Sequence, residues 1–295
     1  MRAFELFSAK DSTHAVALLA EHAPSVKVLA GGTDLLADYK FAPSSHIPKV
    51  IIDVSRLEEL KHIKLTDEGL SIGSLVTHTQ IMRSPIMTDL FPALQDAAHT
   101  IGAVQTRNLG TLGGNLCTAV PSVDSGPTLV ALDALVTLLS PAGRRQLPLA
   151  DFFVGPRKTA LKTEELLVDI FIPKTSLGKP TKFHKFGLRK GQALALVNAA
   201  ASFWVDWDKN VFVAARVALG AVAPKVIHAT SAETFLEGRA ITPEAMAEAG
   251  RLASGDAKPI SDMRASAEYR RDLIAVLTKR ALEGAYELAK AKRGN

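Results

Sequence analysis

The sequence predicts an α+β protein: a mixed α/β N-terminal region of two lobes, then a smaller α+β region with an antiparallel sheet and helices. Three observations predict this. Buried-type apolar strands alternate with a helical period over about the first 56 residues. From about Leu57 the pattern changes to alternating strands and short helices. Beyond residues 175–180, where Gly178 and Pro180 mark a linker or crossing loop, two long strands flank a tight turn and helices follow. The expected division is 1–176, with lobes of about 1–56 and 57–176, then 177–295.

Asp11 or Ser12 can cap a helix through about Glu21, with Val16, Leu18 and Leu19 on its buried side. Residues 27–30 form a strand that enters a glycine turn. Residues 50–54 are continuously apolar, as a strand covered on both faces would be. Residues 70–75 alternate like a strand, and Thr77 opens a short helix. Residues 91–101 read as a second helix. Residues 129–139 are apolar and lead to a turn at Pro141-Ala142-Gly143, and residues 166–172 are a strand stopped by Pro173. In the last third, residues 199–205 and 211–219 pair around Trp207-Asp208-Lys209-Asn210. Helices are expected at 231–236 and at 242–253, with Thr242 as cap and Pro243 at its first position. A long helix at 265–290 carries Leu273, Ile274, Leu277, Ala281 and Leu282 on one face, so it packs on the small sheet.

Composition narrows the function. The chain has 295 residues, 47% hydrophobic and 22% charged, which fits a globular protein with a sizeable core. No segment reaches the roughly 18 uninterrupted apolar residues of a membrane span. The start, Met1-Arg2-Ala3-Phe4-Glu5-Leu6-Phe7, has no long apolar run, so no signal peptide is expected. The single cysteine, Cys117, excludes a disulfide framework and predicts a cytoplasmic setting. It also cannot hold an iron–sulfur cluster, which takes about four protein ligands. The net charge of +5 is dispersed, and the 6% aromatic content is not interleaved with basic clusters such as Lys182-Phe183-His184-Lys185. Nucleic-acid binding is therefore disfavoured. No dinucleotide fingerprint, Walker loop, metal-ligand cluster or nucleophile elbow is present.

Two glycine pairs carry the chemistry. One lies in Val28-Leu29-Ala30-Gly31-Gly32-Thr33-Asp34-Leu35-Leu36. The other lies in Gln105-Thr106-Arg107-Asn108-Leu109-Gly110-Thr111-Leu112-Gly113-Gly114-Asn115. Each reads as an apolar strand running into a Gly-Gly turn. Glycine accepts positive φ and leaves no side chain in the way of a ligand. Successive N–H groups in such turns form anion-holding nests. Two nests suit a diphosphate, although a single pair would more often be an ordinary turn.

These segments resemble the FAD-binding (medium) subunit of the molybdenum hydroxylases, which include the medium subunit of carbon monoxide dehydrogenase and the flavin domain of xanthine dehydrogenase. The resemblance runs on through Leu116-Cys117-Thr118-Ala119-Val120-Pro121-Ser122-Val123-Asp124-Ser125. Weaker echoes are Ile72-Gly73-Ser74-Leu75-Val76-Thr77-His78 and Gly220-Ala221-Val222-Ala223-Pro224. It implies a two-lobed FAD-binding region of the PCMH-like kind and a smaller C-terminal domain. It also implies FAD on this chain, and the molybdenum cofactor and 2Fe–2S clusters on a large and a small partner subunit in a dimer of heterotrimers.

Residue by residue, the resemblance implies cofactor contacts at Lys27, Val28, Leu29, Ala30, Gly31, Gly32, Thr33 and Asp34. Gly31, Gly32 and Thr33 would hold one phosphate, and Gly113, Gly114 and Asn115 the other. Ile101 and Gly102 would lie near the flavin ring. Thr111, Asn115 and Thr118 would supply polar contacts, Asp124 an acidic one, Leu167 an apolar one and Lys185 a basic one. A cation beside the flavin N1–C2 carbonyl would stabilise the reduced, anionic ring. Taken alone, Asp124 could instead cap the following turn, and Lys185 would be a surface lysine. For Arg107, pairing with loop carbonyls or a core carboxylate outranks a role near the cofactor.

The chain departs from the family at Ala193, where an acid often follows the basic loop, and at His228, where an arginine is usual. It also lacks the cysteine-rich loop of relatives that act on aromatic CoA thioesters. The implied function is an electron-transfer flavoprotein subunit that passes electrons from partner clusters to an acceptor such as NAD, a quinone or oxygen. A stand-alone flavin oxidase and a nucleotide-binding regulatory module are the alternatives.

Overall fold

The computed structural model describes residues 3–41 and 48–294. The first lobe runs β1 (Glu5–Ser8), α1 (Ser12–Glu21), β2 (Val26–Leu29), α2 (Leu35–Phe41) and β3 (Val50–Asp53). Its strands pair in parallel in the order β1-β3-β2. β3 is apolar throughout its first three positions because it is central, and Ile51 and Ile52 are fully buried. Asp11 caps α1 by accepting the His14 N–H at 2.7 Å. The helix then buries Val16, Leu18 and Leu19.

The second lobe is larger. In chain order it contains β4 (Ile63–Leu65), β5 (Gly69–Gly73), α3 (His78–Arg83), α4 (Pro85–Leu90), α5 (Pro92–His99), α6 (Val104–Leu109), α7 (Leu112–Thr118), α8 (Ser125–Ala131), β6 (Leu135–Ser140), β7 (Gly143–Pro148), α9 (Leu149–Phe152), β8 (Phe153–Gly155), β9 (Lys158–Thr159) and β10 (Leu166–Pro173). Five strands form an antiparallel sheet in the order β4-β5-β10-β6-β7. Thr77 caps α3 through a capping box with Gln80.

The structure divides one apolar stretch and corrects one expectation. The apolar stretch 129–139 is not one element. It divides between α8 and β6 at Asp133, whose φ of +53° ends the helix; an unbroken apolar run carries no period to separate the two. The second glycine pair lies in no turn after a strand. α6 precedes it, and Gly113 and Gly114 form the first turn of α7.

The last third holds β11 (Thr181–Gly187), β12 (Ala195–Asp206), β13 (Val211–Gly220), β14 (Ile227–His228), α10 (Thr230–Leu236), α11 (Pro243–Asp256) and α12 (Ala267–Arg293). The sheet is antiparallel and ordered β11-β12-β13-β14. The basic cluster at 182–185 is part of β11, a strand hidden by its charges. Thr242 caps α11 with Pro243 at the first position. α12 buries Leu273, Ile274, Leu277, Ala281 and Leu282 in one core with strands β12 and β13. This sheet faces the second lobe: Ser202 donates to the Ala131 carbonyl at 2.6 Å, and Lys182 pairs with Asp96 at 2.7 Å. Among the described residues no helix is long and apolar enough to cross a membrane.

Phe203 and Phe212 meet edge to face in the C-terminal core at 4.7 Å between ring centroids. Phe203→Ala leaves a cavity there and is expected to cost about 3–5 kcal/mol. Urea unfolding followed by tryptophan fluorescence, with Trp204 and Trp207 as local reporters, measures the loss.

Candidate cofactor-binding site

The two glycine segments meet backbone to backbone. A Cβ on Gly31 would lie 1.9 Å from the Leu109 carbonyl oxygen, so only glycine lets the first turn sit against the end of α6. Thr118 Oγ1 donates to Asp34 Oδ2 at 3.0 Å, with the Gly114 carbonyl 2.9 Å away. Segments far apart in sequence thus share one surface.

The first turn is open. Gly32 takes φ +71°, and its carbonyl accepts the Leu36 N–H at 3.1 Å, which starts α2. Among the described residues no acceptor meets the N–H groups of Gly31, Gly32, Thr33, Asp34 or Leu35. Thr33 and Asp34 are exposed. A run of unpaired donors around a positive φ has the chemistry of a phosphate cradle, and a diphosphate fits it.

The second pair behaves differently, and the two-nest expectation is corrected. The Leu112 N–H donates to the Val76 carbonyl at 2.8 Å and the Gly113 N–H to the Ser74 carbonyl at 2.9 Å. The Gly114 N–H donates to Thr111 Oγ1 at 3.0 Å and the Asn115 N–H to the Thr111 carbonyl at 2.9 Å. These donors are spent inside the protein. Gly113 is needed for another reason: a Cβ there would lie 2.7 Å from both Cβ and carbonyl oxygen of Ser74. What α7 offers a ligand is side chains. Asn115 Oδ1 accepts from Ser125 at 2.6 Å, and its amide nitrogen meets no acceptor among the described residues.

That Ser125 contact leads to a second group. Asp124 and Lys185 form an ion pair at 2.5 Å, with side chains 9% and 6% exposed. Lys185 also donates to the Thr100 carbonyl at 3.1 Å, next to Ile101. The other carboxylate oxygen, Asp124 Oδ1, accepts from Asn198 Nδ2 at 3.0 Å. Burial raises the Asp124 pKa, and Lys185 and the hydrogen bonds oppose that shift. Lys185 is therefore no surface lysine, and Asp124 makes no side-chain cap on α8. Gly102, at φ +52°, accepts the Gln192 N–H at 3.2 Å, which brings the 188–194 loop beside Ile101. Arg107 donates to the carbonyls of His99 and Ile101 at 3.2 and 2.9 Å, the loop-holding role given priority in the sequence.

The remaining residues spread outward. Lys27 is exposed on β2, with Val28, Leu29 and Ala30 half-buried behind it. Leu167 is 3% exposed and belongs to the core of the second lobe. His228 pairs with Glu233 at 2.8 Å on the edge strand β14.

Two polar residues escaped the sequence reading. His78 is buried, and its Nδ1 has no partner among the described residues. Its Cδ2 and Thr33 Oγ1 lie 3.4 and 3.5 Å from where a Gly110 side chain would begin. Burial, with help from Arg107, lowers its pKa to about 4, so the ring is neutral. Asn198 is fully buried. A lone amide in the apolar run of β12 was the available signal.

Residues 2–175 match the family described as the FAD binding domain in molybdopterin dehydrogenase, and residues 182–285 match the CO dehydrogenase flavoprotein C-terminal domain. The chain is 31% identical to the nicotinate dehydrogenase FAD-subunit of Eubacterium barkeri, over 95% of each chain. It is 32% identical to the carbon monoxide dehydrogenase medium chain of Hydrogenophaga pseudoflava, over 96% of this chain and 97% of that one. A chain in a solved structure of carbon monoxide dehydrogenase from Hydrogenophaga pseudoflava, in a form lacking the Mo-pyranopterin moiety, superposes with a TM-score of 0.92. It shares 32% identity and covers 97% of this chain and 98% of that one.

Two substitutions probe this geometry. Gly31→Ala forces the turn off Leu109 and is expected to cost about 1–3 kcal/mol. Gly155→Ala, where a Cβ would meet nothing within 4 Å, should stay within about 0.5 kcal/mol of the parent; thermal unfolding compares them. Because the folded-state pKa of His78 lies below its unfolded value of 6.5, its contribution is intact above about pH 6.5 and is lost as pH falls toward 4. Stability measured across that window should fall less steeply in His78→Leu than in the parent.

Proposed function

The chain belongs to the family of FAD-binding subunits of the molybdenum hydroxylases, and from that premise we propose that it carries electrons from iron–sulfur clusters on a partner subunit to an external acceptor. It is an oxidoreductase subunit, and FAD is its cofactor. The observation that carries the reading is the run of open N–H donors from Gly31 to Leu35.

Gly31, Gly32, Thr33 and Asp34 would bind the diphosphate, beside Lys27, Val28, Leu29 and Ala30. Thr111, Asn115 and Thr118 would contribute side-chain hydrogen bonds, with Gly113 and Gly114 holding α7 close enough for them to reach. Ile101, Gly102, Asp124 and Lys185 would border the ring, with Leu167 supporting them from the core. When bound, FAD supplies a redox centre able to take up electrons singly and give them up as a pair. The protein's share is to bind it, orient it and fix the charge around it.

The names of the relatives, a medium chain and a FAD-subunit, support a complex with a large molybdenum-cofactor subunit and a small 2Fe–2S subunit. We propose a dimer of heterotrimers in the cytoplasm. The proposed division of labour gives 1–176, in lobes 1–56 and 57–176, to FAD, and 177–295 to closing the site from the other side.

The purified chain should show the visible absorption of bound flavin and release FAD on denaturation. Its flavin should be reduced by the reduced 2Fe–2S partner and not by small organic substrates alone. A folded, colourless chain that takes up no FAD would sink the reading. Turnover of a small molecule by the isolated chain would replace it with a stand-alone flavin oxidase.

A further inference from the structure

Asn198 stands in the stretch Ala195-Leu196-Val197-Asn198-Ala199-Ala200-Ala201 of β12, where every other side chain is apolar and buried. Its amide nitrogen faces two acceptors, Asp124 Oδ1 at 3.0 Å and the Val123 carbonyl at 3.3 Å. The opposite orientation would set an amide oxygen against both, so the orientation is fixed by chemistry. Its Oδ1 is buried without a partner among the described residues, and a Cβ on Gly220 would lie 2.2 Å from it. The fold thus reserves a tight slot for this amide at a cost, since an orphaned buried acceptor is unfavourable.

What the slot secures is Asp124. One carboxylate oxygen is held by the Lys185 cation at 2.5 Å and the other by Asn198. Lys185 and Asn198 both come from the C-terminal sheet, on the neighbouring strands β11 and β12. Lys185 reaches on to the Thr100 carbonyl, which adjoins Ile101 and Gly102. Without the Asn198 donor, one oxygen of a buried carboxylate would go unpaired. The neutral acid would gain, and Lys185 would be left as an uncompensated cation.

We propose that Asn198 is a positioning residue of the cofactor site: by keeping Asp124 ionised against Lys185, it keeps the Lys185 charge beside Ile101 compensated and so sets the reduction potential of the bound FAD. The inference rests on the FAD reading given above. Its sign is fixed by Coulomb attraction. Loss of Asn198 leaves extra positive charge, which favours the more negative reduced cofactor and raises the potential.

Asn198→Leu keeps roughly the volume and removes the donor. The test equilibrates the FAD-loaded chain with a reference dye and measures the midpoint potential of the parent and of N198L. It does the same for D124N and the double variant. N198L is expected to shift the equilibrium toward reduced FAD by about tenfold, about 30 mV for a two-electron couple. In the D124N background the same substitution should shift nothing, because no charge remains for Asn198 to hold. Equal potentials for the parent and N198L would overturn the proposal. So would the same shift in both backgrounds, which marks a merely structural effect. If N198L does not fold, N198A is compared in its place under the same two criteria. A parent chain that retains no FAD would defeat the underlying reading, whereas one that binds FAD with an unmoved potential defeats only this inference.

Discussion

The whole site depends on one close approach. The Gly31 backbone lies against the Leu109 carbonyl at a distance that no side chain would permit. That contact joins the turn after β2 to the α6–α7 segment, and so joins the first lobe to the second. Seated there, the turn has no protein acceptor for the N–H groups of Gly31 to Leu35 among the described residues. Were the approach looser, Asp34 could not reach Thr118, and the open donors would face away from the side chains of α7. Unsatisfied backbone donors are costly inside a protein and tolerable at its surface. Here they sit at a partly exposed seam, which the proposed diphosphate would complete.

The C-terminal sheet plays a different part. It offers Lys185 and Asn198, both spent on one carboxylate of the FAD-binding region. A buried ion pair gains little stability against an apolar replacement, because desolvation offsets the Coulomb attraction. Its presence between the edge strand β11 and the start of α8 therefore calls for a reason other than stability. Beside the proposed cofactor, which changes charge when reduced, a balanced pair would have one: it fixes the local field while the Lys185 charge stays compensated.

Local signals made much of the fold legible. Asp11, Thr77 and Thr242 each precede a helix and each proves to cap it. The apolar face of α12 was readable from its period, and the central place of β3 from its unbroken apolar run. What could not be read was tertiary. Gly113-Gly114 has the composition of a turn, yet Thr111 caps it and the carbonyls of Val76 and Ser74 receive the N–H groups of Leu112 and Gly113, so it becomes helix. Its propensity is overridden by partners more than thirty residues away. Lys185 reads as one of a solvent-facing basic cluster because Asp124 is remote in sequence. The first glycine turn was legible as an open turn because its geometry is local, and the second was misread because its geometry is not.

The same distinction accounts for the kinds of residue found in the site. A protein that acted on an organic substrate itself would need a titrating acid or base poised near neutral pH. Here two buried groups are held away from that range. Burial and Arg107 keep His78 neutral down to about pH 4, and burial pushes the Cys117 thiol up to about 12. Lys185 is tied to a carboxylate and a carbonyl at once. Groups fixed in charge can bind and polarise but cannot shuttle protons. For a chain whose cofactor is FAD, and under the electron-transfer role proposed for it, that restraint is an asset: such groups keep their charge while the cofactor's own charge changes. The reduction potential is then set by geometry, above all by which donors reach Asp124.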